Sequence, residues 1–82
     1  MIIKLYSVRD RLTEFAGPIG FKDEKVAKRW FTQILAQKKA NFEDPKDFDL
    51  YMVGSMDTEK GNINGTAIQE VELIMKGETI DV

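Results

Sequence analysis

The chain contains no cysteine and no histidine among its 82 residues. Lack of cysteine excludes disulfides, thiolate metal sites and a cysteine nucleophile. Lack of histidine removes the usual neutral-pH general base and the commonest metal ligand. No apolar run approaches the roughly 18 residues that a membrane span needs, and the N-terminus lacks the basic, apolar and small-residue order of a signal peptide. Proline occurs only at Pro18 and Pro45, where it interrupts regular structure and pushes Asp44 into an extended conformation. The chain therefore reads as a non-enzyme with no cofactor, no small-molecule substrate and no membrane contact, made and kept inside a cell.

What remains is an ordinary globular composition, 43% apolar and 32% charged. Eighty-two residues make one domain, 1–82, with room for a single modest core. The net charge of −2 hides a polarity. Residues 1–40 carry nine basic side chains against four acidic ones, and residues 41–82 carry three against ten. Such a division fits a basic binding face, and it equally fits two halves that attract each other on folding.

Residues 2–8 are rich in β-formers and read as a first strand. Gly17-Pro18 breaks the chain, and Ile19-Gly20-Phe21 reads as loop. From Asp23 to Lys39, Val26, Ala27, Trp30, Phe31, Ile34 and Leu35 recur at three- and four-residue spacing, which predicts an amphipathic helix. Asp23 and Glu24 suit its positive end, and Lys38 and Lys39 its negative end. Residues 48–56 alternate as a second strand, and residues 57–61 form an acidic turn. Asn62 to Ile68 reads as a third strand, although Asn64-Gly65 could open a tight turn. Gln69 to Met75 reads as a fourth strand, with a helical turn as the alternative. The expected fold is α+β: one amphipathic helix on a three- to four-stranded, mainly antiparallel sheet, in the order β-α-β-β with a further strand allowed.

Site-like patterns are few. The run Asp57-Thr58-Glu59-Lys60-Gly61-Asn62 has its glycine one position early for an EF-hand, so a solvated turn is expected. Gly17-Pro18-Ile19-Gly20 lacks the Lys-Ser/Thr pair of a phosphate loop. The helix face away from the apolar stripe carries Lys25, Lys28, Arg29 and Lys39, which could contact phosphates or simply be solvated. Arg9 and Arg11 flank the first strand's end as further candidates, with Asp10 between them offering local pairing instead. Tyr6 and Tyr51 are expected side by side on neighbouring strands, as a packing pair or as an exposed base-stacking pair. Trp30 and Phe31 share a face with Ile34 and Leu35 and are expected in the core rather than as base-stacking platforms. Asp44, Asp47, Asp49, Asp57 and Glu59 could face a basic partner or a second copy, giving a homo-oligomer.

Several segments in order resemble a known family. They are Tyr6-Ser7-Val8-Arg9-Asp10, then Gly17-Pro18-Ile19, then Ala27-Lys28-Arg29-Trp30-Phe31. A proline, acidic and aromatic lead into a Leu-Tyr-x-x-Gly strand follows, from Pro45 through Leu50-Tyr51-Met52-Val53-Gly54 to Asp57. This arrangement is similar to the small nonstructural protein of gokushoviruses, microviruses with single-stranded DNA genomes. Ile19 departs from the family, where an aromatic is common after the proline. The resemblance implies a bacteriophage nonstructural protein of the host bacterial cytoplasm, without catalytic residues. It further implies an accessory role in viral DNA replication or packaging, with single-stranded DNA or the viral replication complex as partner. A protein–protein module with no nucleic-acid contact is the alternative.

Overall fold

The computed structural model describes residues 1–65 and 71–80. The β-branched and aromatic run at the N-terminus forms β1 (Ile2–Asp10), and the later alternating run forms β3 (Phe48–Asp57). These two strands pair antiparallel along their whole length and make the centre of the sheet. Between them in sequence come β2 (Ile19–Phe21) and the helix α1 (Glu24–Ala40). The strands β4 (Ile63–Gly65) and β5 (Glu72–Lys76) follow, sharing the outer edge of β3. The architecture is a small α+β domain, one helix with a five-stranded antiparallel sheet.

One strand was not anticipated. Ile19–Phe21, read from sequence as loop, pairs with Lys4–Tyr6 as β2. Its three residues follow a proline and carry no periodicity, so only the exposed edge of β1 makes them a strand. Pairing places Phe21 between Tyr6 (ring centroids 6.0 Å apart) and Trp30 (5.4 Å). The short strand thus joins β1 to the helix through three aromatic rings. Glu72–Lys76 is a strand, as expected. The remainder of the expected third strand beyond Gly65, and Gln69 and Glu70 of the fourth, lie outside the described residues.

The helix begins where its cap is encoded. Asp23 is extended, and its carboxylate accepts from the Lys25 N–H at 2.8 Å, satisfying a backbone donor that the first turn leaves open. Ala27, Phe31 and Leu35 form a fully buried line against the sheet. Tyr6, Val8, Phe48 and Leu50 meet them from β1 and β3, with Trp30, Met52, Ile74, Met75 and Ile80 packed around the edge. Each large apolar side chain fully buried here contributes about 1.5–3 kcal/mol. Val26, placed in the stripe by its spacing, is exposed instead, because the deepest line runs along 27, 31 and 35.

Two glycines are set by close approach. A Cβ on Gly54, the glycine of the Leu-Tyr-x-x-Gly pattern, would run into the Asn64 carbonyl of β4. A Cβ on Gly77 would meet the carbonyls of Pro45 and Phe48. There the single 3₁₀ turn Gly77–Thr79 lies against the 3₁₀ turn Pro45–Asp47.

Candidate functional site

The six basic candidates divide between two faces of the molecule. Lys25, Lys28, Arg29 and Lys39 all lie on α1. At about 100° per residue they occupy one arc that begins beside the buried line and runs outward, with Thr32 and Ala36 filling the space between them. Lys25, Arg29 and Lys39 are exposed, and Lys28 is half-buried because it lies nearest the core line. Lys28 pairs with Glu24 at 3.4 Å, one turn earlier. Lys25 and Arg29 make no ion pair with the described residues. From Lys25 to Lys39 the arc extends about 21 Å at 1.5 Å per residue.

Arg9 and Arg11 belong elsewhere. Arg9 stands directly opposite Asp49 in the β1–β3 register, and its guanidinium lies over the Phe15 ring, 5.5 Å from the centroid. Arg11 is committed to Asp49: its Nε and Nη2 donate to the two carboxylate oxygens at 2.9 and 3.0 Å. Glu78 lies 3.9 Å from the same guanidinium. The hydrogen bonds to Asp49 hold the Arg11 pKa above its already high ordinary value. Asp49 is only 5% exposed and also accepts from the Gly77 N–H, so this pair ties the end of β1 to the C-terminal turn. The structure therefore brings the helix cations together and separates them from Arg9 and Arg11.

The tyrosine pair expected from sequence does not form. The register sets Tyr6 opposite Met52 and Ser7 opposite Tyr51, so the two tyrosines point to opposite faces of the sheet. Between Leu5 and Tyr6 the pairing shifts, and β3 carries one extra residue, Val53. Tyr6 is buried under the helix at 2% exposure. Burial, reinforced by the carboxylates of Glu24, Asp23 and Glu72, pushes its phenol pKa up. Tyr51 instead meets Phe15 edge to face, centroids 5.3 Å apart, on the sheet face away from the helix. With Arg9, Val53 and Val71 these rings line a cleft of about 340 Å³. Phe15 was missed because it sits in a segment without periodicity. Its clue is structural: an isolated bridge sets it across from Arg9.

Many of the described carboxylates have structural duties. Asp10, Asp23, Asp44 and Asp57 each accept a backbone N–H two residues ahead, at 2.8–3.0 Å. The Asp57 turn closes with Gly61 at φ 77°, as a hairpin connection. Asp49 holds Arg11, and Glu59 lies 3.7 Å from the N-terminal amine. Among the described residues no group of three or more Asp or Glu is arranged to hold a metal ion. Among those residues no helix is long and apolar enough to cross a membrane.

A family model described as phage ORF5 protein matches residues 3–80. The chain belongs to the phage ORF5 protein family. The match runs from β1 to the last 3₁₀ turn, so the whole described fold is the family's domain. No curated protein matches this ORF5 protein, and no solved structure does. Within the ORF5 protein the Leu50-Tyr51-x-x-Gly54 pattern has a physical reading: Leu50 fills the core, Tyr51 faces the opposite side, and Gly54 admits β4.

Proposed function

We propose that this phage ORF5 protein is a non-catalytic accessory factor of single-stranded DNA replication or packaging, of the gokushovirus kind, acting in the host bacterial cytoplasm. It contacts DNA, alone or within the replication complex, through the outer face of α1. The observation that carries this reading is the charge of the helix: five basic side chains against one carboxylate. The remainder of the chain holds seven basic and thirteen acidic residues. Those carboxylates keep their charge, but they lie outside α1, in the strands, turns and caps. A row of cations separated by short side chains suits a phosphate backbone and reads no base sequence. The lack of cysteine and histidine supports a binding role over a catalytic one.

Fluorescence anisotropy of labelled single- and double-stranded oligonucleotides at low and near-physiological salt tests the proposal. Binding to the single strand should weaken steeply with salt, by a slope of about 0.7 per phosphate contact. The double change Lys28→Glu, Arg29→Glu should flatten that slope by about 1.4 and lower affinity. If affinity and slope are both untouched, the helix is not the DNA contact.

A second reading has its own observation. On the sheet face away from the helix, Phe15 and Leu73 are about 40% exposed beside the half-buried Tyr51 and Val71. Such a patch suits a protein partner, viral or host, or a second copy. Sizing at low and high salt separates the cases: association through this patch persists in salt, whereas pairing between oppositely charged regions dissolves.

A further inference from the structure

Phe42 is poorly explained by the fold that holds it. It follows the helix cap Asn41 with φ 65°, and no other described non-glycine residue has a positive φ. Its N–H donates to the Lys39 carbonyl at 3.0 Å, and the Glu43 N–H donates to the Lys38 carbonyl at 2.9 Å. These two bonds make the Schellman closure, whose left-handed position is usually glycine because a Cβ crowds the neighbouring carbonyl. A bulky residue in that slot is an outlier. No burial offsets the strain, since Phe42 is 99% exposed, more than any other large hydrophobic residue described. Backbone strain and a fully hydrated ring are two separate costs borne by one residue.

Its position gives those costs a use. Phe42 ends the helix that carries Lys25, Lys28, Arg29 and Lys39. The carboxylates that follow it are engaged: Glu43 lies 3.8 Å from Lys38 Nζ, and Asp44 accepts from the Lys46 N–H. A planar apolar ring at the end of a row of cations is complementary to a chain of flat bases on an anionic backbone. A duplex hides its base faces in the stack, so such a ring selects unpaired strands. We propose that Phe42 is a base-stacking residue, its ring packing on an unpaired nucleobase while the helix cations hold the flanking phosphates. The inference rests on the DNA-binding reading above and adds single-strand selectivity to it.

The test is Phe42→Gly, compared with wild type on oligothymidine, on an abasic strand of equal length and on a duplex. Glycine relieves the left-handed strain, so the melting temperature should rise by about 4–8 °C. Weaker binding then cannot come from damage to the fold. Affinity for oligothymidine should fall about five-fold or more, with abasic and duplex affinities unchanged, and Phe42→Trp should keep wild-type affinity. Equal binding of oligothymidine by Phe42→Gly and wild type overturns the inference, and leaves the helix reading standing if Lys28→Glu, Arg29→Glu still weakens binding. An equal loss on abasic and base-bearing strands also overturns it, because the ring would not be reading a base. Failure of the wild-type protein to bind any strand at low salt removes both.

Discussion

The positive and negative charges of this protein are employed in different ways. Along α1, Lys25 and Arg29 make no ion pair with the described residues, and only Glu24 supplies a carboxylate. In the sheet and its turns the carboxylates are working parts: Asp49 clamps Arg11, and Asp10, Asp44 and Asp57 hold turns closed. A net charge of −2 therefore says little about what the surface offers. Several acidic residues here hold turns, a cap and Arg11 in place, whereas Lys25 and Arg29 make no ion pair with the described residues and face an anionic partner openly.

The sharpest way to break this comparison is to remove a working carboxylate. Asp49→Ala deprives Arg11 of both hydrogen bonds and the Gly77 N–H of its acceptor. Denaturant unfolding should show a loss of about 1–3 kcal/mol, the cost of leaving donors unsatisfied. Binding of DNA by the folded fraction should be unchanged, since no helix cation is touched. A smaller effect sets the two classes of charge side by side. Asp23→Ala removes the helix cap and should cost about 1 kcal/mol. Arg29→Ala, at an exposed position with no ion pair among the described residues, should stay within about 0.5 kcal/mol and weaken DNA binding instead. If Arg29→Ala destabilised as much as Asp23→Ala, the contrast would be lost.

The smallest effect is confined to alkaline pH, where Tyr6 titrates. The Tyr6 phenol is protonated in the fold and its pKa lies above the ordinary value, chiefly through burial. The folded chain then holds this proton more tightly than the unfolded chain does. Its contribution to stability is complete below about pH 10, the unfolded value, and is lost as pH rises from there through the folded value. Thermal melts across that range should show the decline in wild type and a smaller one in Tyr6→Phe.

Much of this was legible in the chain. The helix could be placed within a residue because Asp23 caps it and the apolar spacing runs without interruption to Leu35. The β3 strand could be read because Phe48, Leu50 and Met52 alternate with more polar neighbours. By contrast, Ile19–Phe21 became a strand only because β1 had an open edge for it. The expected Tyr6–Tyr51 pair failed for a related reason: alternation tells which residues of one strand share a face, but not which residue stands across from which.

Sequence by itself determined the α+β class, the position of the helix, its basic outer surface and the likeness to a phage family. Those properties are local, arising from periodicity, capping and the order of short segments. Tertiary structure alone decided that Arg11 is tied to Asp49 while Arg29 is not, that Phe15 takes the place of Tyr6 beside Tyr51, and that Phe42 stands bare in a glycine's conformation. Each of these depends on strand register or chain closure, which bring together residues far apart in sequence or fix a backbone angle that no residue type announces.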